Sequence, residues 1–368
     1  MRAKNNLHTP SIPLLICSLL FILTGIITIA TASPAFALNE GFSSNHYLIH
    51  QLLFGFLPGI FLGVLAFLIP LDFIKKYALG FFLISYLLMF SVFVPGIGIC
   101  EGGACRWANI LGFNFQPVEF LKLTTIIYLG ALFSSEKIKN PVINFAIIIG
   151  LIVLALFLQS NLSTLITIFL IAVAILFSSN TKMKDVLIIG VCGIILFCGM
   201  VFTSPYRMER VMTFLDPLSD TLGDAYQINQ SLISIGSGGI NGSGLGLSAQ
   251  KFGFVPESMS DSIFAIYAEE LGFLGCAFLV LLLVSFAFYS IKTAKKTTPF
   301  GKLLAVGICT WIVSQSFINI SAMSGLMPLS GTPLPFISYG GTHLVIELAA
   351  LGLLLNVSRS VNNEKNNI

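Results

Sequence analysis

Apolar residues in this chain come in long, nearly unbroken runs, and polar residues collect in the short segments between them. A run of about 20 residues carries an α-helix across a hydrocarbon layer of ~30 Å. Reading for that length predicts about ten spans, at residues 11–33, 48–70, 77–98, 116–133, 142–158, 162–178, 186–203, 262–290, 303–321 and 340–357. Most connectors are short, and residues 204–261 form by far the longest. The N-terminus has a second reading, because Arg2 and Lys4, an apolar run and then Ala35-Phe36-Ala37 follow the order of a cleavable signal peptide. The run from Ser11 to Ala32 outlasts the ~7–15-residue apolar core of such peptides, which favours a retained first helix.

Composition makes the class explicit. Hydrophobic residues are 56% of the 368 and charged residues 10%, with a mean hydropathy of +0.93, whereas soluble domains carry about 25% charged residues. The fold class expected is all-α, a polytopic membrane protein, since helices satisfy their own backbone groups in lipid. Residues 1–368 read as one membrane domain with polar tails at 1–10 and 358–368, and the tail from Val361 to Ile368 is polar enough to be unstructured. No internal repeat stands out.

Charge orients the spans. With a cytoplasmic N-terminus, only Arg106, Lys122, Arg207, Arg210 and Lys251 among the 19 basic residues fall outside or at the outer ends of spans. The rest fall inside, as the positive-inside rule requires. Both termini are then cytoplasmic, and residues 99–115 and 204–261 are extracytoplasmic. The net charge of +3 is spread over several loops and gives no reason to expect nucleic acid. Of seven cysteines, Cys17, Cys192, Cys198, Cys276 and Cys309 fall within spans and read as small core residues. Cys100 and Cys105 share an outside loop, where paired and free states both remain open; the four histidines offer no matching metal set.

Charges at membrane depth are costly and are functional candidates by default. Glu119, Lys122, Glu269, Glu270 and Glu347 meet that description. Glu119 and Lys122 are three apart, on one helix face; a mutual ion pair and a phosphate-binding site are both consistent with that spacing. Glu269 lies eight residues after Asp261, near the same face of the eighth span, and suits pairing or cavity shaping. Asp261 opens that span, where a helix cap is the plain reading. Against it, Ser260 is an alternative cap, and Arg207, Arg210 and Lys251 lie on the same side, so one acid among bases at headgroup depth suits a base catalyst facing a pyrophosphate.

The glycine run Gly236, Gly238, Gly239, Gly242, Gly244 and Gly246 lacks the strand and the Lys-Ser/Thr of a phosphate loop. Close backbone packing and re-entrant turns are its expected use. A second irregular region, Gly325 to Gly341, is broken by Pro328, Pro333 and Pro335 and is expected to line a cavity.

Four segments together resemble the SEDS family of FtsW, RodA and SpoVE: GACRWANILGFNFQPVEFLKL (Gly103 to Leu123), YRMERVMTFLDP (Tyr206 to Pro217), YQINQSLISIGSGGINGSGLGLSAQKFGFVPESMSDSIFAIYAEELG (Tyr226 to Gly272) and NISAMSGLMPLSGTPLPFISYGG (Asn319 to Gly341). The match covers most of the chain in the right order, and FLDP, GLGLSAQKF and LPFISYGG are more similar to the FtsW branch than to RodA. The resemblance implies a peptidoglycan glycosyltransferase that polymerises lipid II at the outer face of the bacterial cytoplasmic membrane, for septal synthesis in cell division. A RodA-like elongation polymerase, a lipid-linked precursor flippase and a non-catalytic division scaffold are the rivals. Its implied partners are a class B penicillin-binding protein and other divisome membrane proteins.

Asp261 falls on the family's essential aspartate in Pro-Glu-x-x-x-Asp, and Gln116, Glu119 and Lys122 fall on Gln-Pro-x-Glu-x-x-Lys. Arg106 falls on the loop arginine before Trp107. The resemblance thus implies Asp261 as catalytic base. Lys122, Glu119, Arg106, Arg207, Arg210 and Lys251 are expected to bind substrate and pyrophosphate, and Glu257, Glu269, Glu270, Gln116 and Ser338 to support them. No organic cofactor is expected; a divalent cation, Mg²⁺ or Mn²⁺, suits a pyrophosphate substrate, with no ligand set assigned. The chain departs from the family pattern at Cys105 (commonly arginine), Asn161 (often aspartate), Met259 (often histidine) and Thr342-His343 (usually paired serines).

Overall fold

The computed structural model describes residues 10–101, 104–110, 112–135, 140–202, 205–216 and 224–365. Arg2, Lys4, Lys137 and Lys139, used above to orient the chain, lie outside the described residues.

Helices α1 (Ile12–Asn39), α2 (His46–Gln51), α3 (Leu57–Leu68) and α4 (Leu71–Leu88) lead into a small sheet, followed by α5 (Pro117–Phe133), α6 (Pro141–Leu158), α7 (Leu162–Ser178) and α8 (Met183–Phe202). The long connector then carries α9 (Pro205–Leu215) and α10 (Asp224–Ser237), and the chain closes with α11 (Ile263–Ala294), α12 (Pro299–Met323) and α13 (Gly341–Lys365). The all-α membrane architecture holds. Among the described residues 8 helical stretches are long and apolar enough to cross a membrane. The fourth and sixth expected spans are the 17-residue helices α5 and α7, each about 25 Å long at 1.5 Å per residue.

Four features differ from the sequence expectation. Strands β1 (Gly98–Glu101), β2 (Ala104–Ile110) and β3 (Phe113–Phe115) form a three-stranded antiparallel sheet. Cys100 and Cys105 face each other in the β1–β2 register and are joined as a disulfide. The long loop between α8 and α11 contains α9 and α10, which are too short and too polar to register as spans. Helix α13 runs to Lys365, into the tail expected to be unstructured. Finally, α11 is broken at Gly272, where φ is 62° and ψ is −161°.

That break explains the glycine run. Without helical geometry at Gly272, the carbonyls of Glu269 and Glu270 lose their partners, the amides of Phe273 and Leu274, and must find others. They accept from Ser243 N at 2.9 Å and Gly244 N at 3.0 Å, while Phe273 N and Leu274 N donate to the carbonyls of Gly239 and Ile240. The loop is spliced into the helix backbone. A methyl group at Gly242 would collide with the Glu270 carbonyl, and one at Gly272 with the Gly242 amide.

Helices α12 and α13 are central, with 67% and 78% of their apolar windows buried, whereas α8 is peripheral at 6%. The second span carries a π-helical turn at Leu52–Phe56, just before Pro58; proline cannot donate to the preceding turn, and the wider turn absorbs that loss. Gly55, Gly59 and Gly63 then face α13, where a methyl at Gly63 would stand 2.8 Å from the Leu348 carbonyl. Small residues four apart let helix backbones approach closely in lipid. Helix α1 is part of the core: Phe21 is buried and its ring lies 5.9 Å from Phe286 and 5.8 Å from Phe336.

Candidate active site

Asp261 lies at the meeting point of the long loop, α11, α12 and the irregular segment between α12 and α13. Its backbone is held by its neighbours, carbonyl by carbonyl. The carbonyl of Met259 accepts from Tyr339 N at 2.8 Å, that of Ser260 from Ser338 Oγ at 2.6 Å, and that of Asp261 from Asn319 Nδ2 at 2.7 Å. Asn319 Nδ2 also donates to the Thr332 carbonyl at 2.7 Å, and Ser338 Oγ accepts from Leu334 N at 2.7 Å. Proline-broken residues 325–340 thus form a clamp, its backbone groups satisfied by side chains where helix hydrogen bonds are missing.

The helix-cap reading of Asp261 fails. The cap position belongs to Ser262, which makes no side-chain capping bond and accepts from Gln227 Nε2 of α10 at 2.9 Å. Ser260 Oγ turns instead to Glu257 Oε2, at 2.5 Å. Among the described residues no donor bonds the Asp261 carboxylate. A methyl group at Gly331, where φ is +63°, would lie 3.5 Å from Asp261 Oδ2 and 4.0 Å from Arg210 Nη1, so the acid and the guanidinium border one gap that the glycine leaves open.

Electrostatics at this point are mixed. The surrounding protein strips water from the Asp261 carboxyl and raises its pKa to about 6; Glu257 pushes the same way, while Arg210 and Arg106 pull against both. A carboxyl poised near neutrality with a partial opening to solvent is what a general base requires.

The remaining expected residues separate into groups. Arg210, on α9, donates Nη1 to the Leu329 carbonyl at 3.3 Å. Arg106, on β2 next to the disulfide, donates Nη2 to the Ser160 carbonyl at 2.8 Å. Cys105 therefore replaces a cation with a covalent tie beside Arg106. Arg207 belongs to α9, and its side chain lies outside the described residues.

Glu119 and Lys122 form the ion pair that their spacing allowed, at 2.8 Å, with both side chains buried. Lys122 Nζ also donates to Gln315 Oε1 at 2.9 Å and lies 4.9 Å above the Trp311 ring. Gln315 accepts from Trp311 Nε1 and donates to the Pro333 carbonyl, both at 2.9 Å. This network ties α5 to α12 and to the clamp. Gln116 caps the start of α5 without a side-chain bond.

Lys251 is buried, and its ammonium donates to the carbonyls of Thr31 and Gly246 and to Glu270 Oε1, at 2.9, 2.7 and 2.9 Å. All three N–H bonds are used there. Glu269 accepts from Ser234 Oγ, Ser248 Oγ and Ala249 N, at 3.0, 2.5 and 3.0 Å. Both thus fasten the glycine-rich loop.

Asn161 accepts from Thr164 N at 3.3 Å and so keeps the capping role of an aspartate at that turn. Among the described residues no group of three or more His, Cys, Asp or Glu could hold a metal ion. A divalent cation would have to share one or two carboxylates with phosphate oxygens, as Mg²⁺ does.

Sequence reasoning passed over Asn319, Gln315 and Gly331. The first two were readable as polar residues four apart inside a span; Gly331 had no signal beyond its place among prolines. A cavity of about 930 Å³, lined by His50, Phe54, Trp107, Phe113, Tyr339 and Thr342 among others, adjoins the clamp. Tyr339 connects the two, since its amide holds Met259 and its hydroxyl lies 2.8 Å from His50 Nδ1.

Comparison with known proteins is consistent across the chain. The profile of the FtsW/RodA/SpoVE family, described as cell cycle protein, matches residues 12–363. The chain is 35% identical over 342 residues to a probable peptidoglycan glycosyltransferase FtsW of Geobacter sp. (strain M18), covering 91% of this chain and 92% of that protein. It is 36% identical over 363 residues to stage V sporulation protein E of Bacillus subtilis (strain 168), covering 95% and 97%. Its fold is similar, at a TM-score of 0.76 and 24% identity, to a chain from a peptidoglycan synthase complex described as coordinating polymerization and crosslinking, covering 95% of this chain and 98% of that one.

Proposed function

We infer that this chain, which belongs to the FtsW/RodA/SpoVE family, is a peptidoglycan glycosyltransferase that polymerises lipid II. The observation that carries the reading is Asp261: a carboxyl with a pKa near 6, unbonded among the described residues, bordering a gap with Arg210 and held at its backbone by three successive hydrogen bonds.

In the reaction, the 4-hydroxyl of the acceptor GlcNAc attacks the sugar carbon of the donor that bears undecaprenyl pyrophosphate. The new glycosidic bond forms as the carbon–oxygen bond to pyrophosphate breaks. Asp261 takes the hydroxyl proton, so that a neutral alcohol becomes a competent nucleophile. The departing pyrophosphate gathers negative charge, which Arg210 and Arg106, with Arg207 of the same helix as Arg210, offset. Lys122 and Lys251, each fully engaged with buried partners, serve to hold the frame. The aromatic-lined cavity beside Tyr339 suits part of the lipid carrier. A divalent cation, if used, would add charge neutralisation at the pyrophosphate.

The finer assignments follow from the relatives. Septal synthesis is supported by the FtsW-like motifs and by the similarity to FtsW proteins; depletion giving filaments supports it, and round cells point to elongation. A class B penicillin-binding protein is the proposed partner, and the charge bias supports an active site at the outer face of the cytoplasmic membrane.

The deciding experiment uses the purified chain with its cognate penicillin-binding protein and labelled lipid II. Glycan chains are the expected product. Movement of lipid II across vesicles without polymer would establish a transporter, and inert protein that still supports division would establish a scaffold.

A further inference from the structure

Glu347 is the membrane-depth acid of the sequence reading to which neither the mechanism nor the frame around it has given a role. It lies on α13 with no exposed surface. Its Oε2 accepts from Phe336 N at 2.8 Å, and its Oε1 has no hydrogen-bond partner among the described residues. A buried carboxyl with a single bond is costly, so that bond must matter to the local structure.

The residue it holds is unusual. Phe336 has φ of +63°, the left-handed region that bulky side chains avoid at a cost of about 1–3 kcal/mol. Such a conformation persists only where its surroundings impose it. Glu347 imposes it from α13. Helix α1 imposes it from the opposite side, where Gly25 lies so close to the Phe336 carbonyl that a methyl group would collide with it. The turn that results places Leu334 N on Ser338 Oγ, Ser338 Oγ on the Ser260 carbonyl and Tyr339 N on the Met259 carbonyl. The last two are among the three hydrogen bonds that fix the backbone leading into Asp261.

We propose that Glu347 is a positioning residue for the reaction at Asp261, acting through the Phe336 amide on the clamp that grips residues 259–261. The proposal rests on the polymerase reading above. It predicts that the hydrogen-bond acceptor at position 347 matters and its charge does not.

The test measures lipid II polymerisation by the purified chain with its partner for wild type, Glu347→Leu, Glu347→Gln and Ser338→Ala. Misplacing a catalytic group by about 1 Å costs up to ~100-fold in rate, so Glu347→Leu should lower kcat on the order of 10- to 100-fold while KM for lipid II stays within about 3-fold. Glu347→Gln, whose amide oxygen accepts the same N–H, should retain kcat to within about 3-fold. Glu347→Leu combined with Ser338→Ala should cost less than the product of the two single losses, because both act on one chain of contacts.

Wild-type kcat in Glu347→Leu overturns the proposal, as does equal loss in Glu347→Gln and Glu347→Leu when both remain monodisperse. Should Glu347→Leu fail to fold, Gly25→Ala disturbs the same turn from the α1 side; it should lower kcat with KM retained, and unchanged kcat there overturns the proposal equally. Absence of polymer from wild type would instead sink the polymerase reading, so the two failures are distinct.

Discussion

The pH dependence of polymerisation follows directly from the surroundings of Asp261. A base with a pKa of about 6 is about nine-tenths deprotonated at pH 7 and about one-tenth at pH 5. If the deprotonated form is the active one, kcat/KM should fall about tenfold between those values. An ordinary carboxylate near 4 would lose only about a tenth of its active form over the same interval, so the two cases are well separated.

The sign can be tested independently at Glu257. Its negative charge raises the Asp261 pKa, second in weight to desolvation. Glu257→Gln removes the charge and keeps an oxygen to accept from Ser260 Oγ. The acid limb should therefore move to lower pH while staying above the ordinary carboxylate value, because burial is unchanged. The assay is initial-rate polymerisation of lipid II from pH 5 to 8 at constant ionic strength. A flat profile, a limb near pH 4, or a limb that rises in Glu257→Gln would each rule out a buried, Glu257-raised Asp261 as the base.

Further outcomes concern the frame. Lys122→Met strands Glu119 in the protein interior; removing one partner of a buried pair costs about 3–5 kcal/mol, to be read as a loss of thermal stability in detergent, with the Glu119→Gln/Lys122→Met double variant losing less than the two single changes added together. Gly272→Ala should be more damaging than a helix-interior glycine change of about 1 kcal/mol in the favourable direction would suggest, since its methyl meets the Gly242 backbone and its φ is +62°; limited proteolysis of the glycine-rich loop would show the spliced hydrogen bonds opening. For topology, a cysteine at Asn114 in a background without other exposed thiols should react with an impermeant maleimide on intact spheroplasts, and one at Thr297 only after lysis; the reverse pattern would invert the charge-based orientation.

Much of the architecture was legible because lipid permits few solutions. A span must be apolar over its whole length, so α1, α6, α8, α11, α12 and α13 announce themselves whatever their partners. Helices α9 and α10 carry no such signature, being short and polar enough to read as loop. The sheet around Arg106 was hidden for a similar reason, its strands being three to seven residues long. The splice between the glycine run and α11 was out of reach for a different cause: it is made of backbone groups some 30 residues apart in sequence, and side-chain patterns do not encode that register.

Within the site, the i, i+3 spacing of Glu119 and Lys122 foretold their ion pair, but nothing local indicated that Gln315 and Trp311 would complete it. Asp261 looked like a cap by position, and only the family resemblance singled it out. The geometry supplies what position could not, since the cap lies at Ser262 and the Asp261 carboxylate is left facing Arg210 across the space kept open by Gly331. Glu347 was conspicuous as a charge at membrane depth, yet its partner is a backbone amide in a proline-broken segment, which no spacing rule predicts.

Replacing the Asp261 carboxylate while keeping its shape is the sharpest probe of its role as the base. Asp261→Asn leaves the backbone carbonyl on Asn319 and the packing intact, but an amide cannot take up the acceptor proton. Loss of a general base costs about 100- to 10,000-fold, so the rate of glycan chain formation from lipid II should fall by that order, with lipid II binding retained. Polymerisation by Asp261→Asn at a rate within a few-fold of wild type would contradict that role.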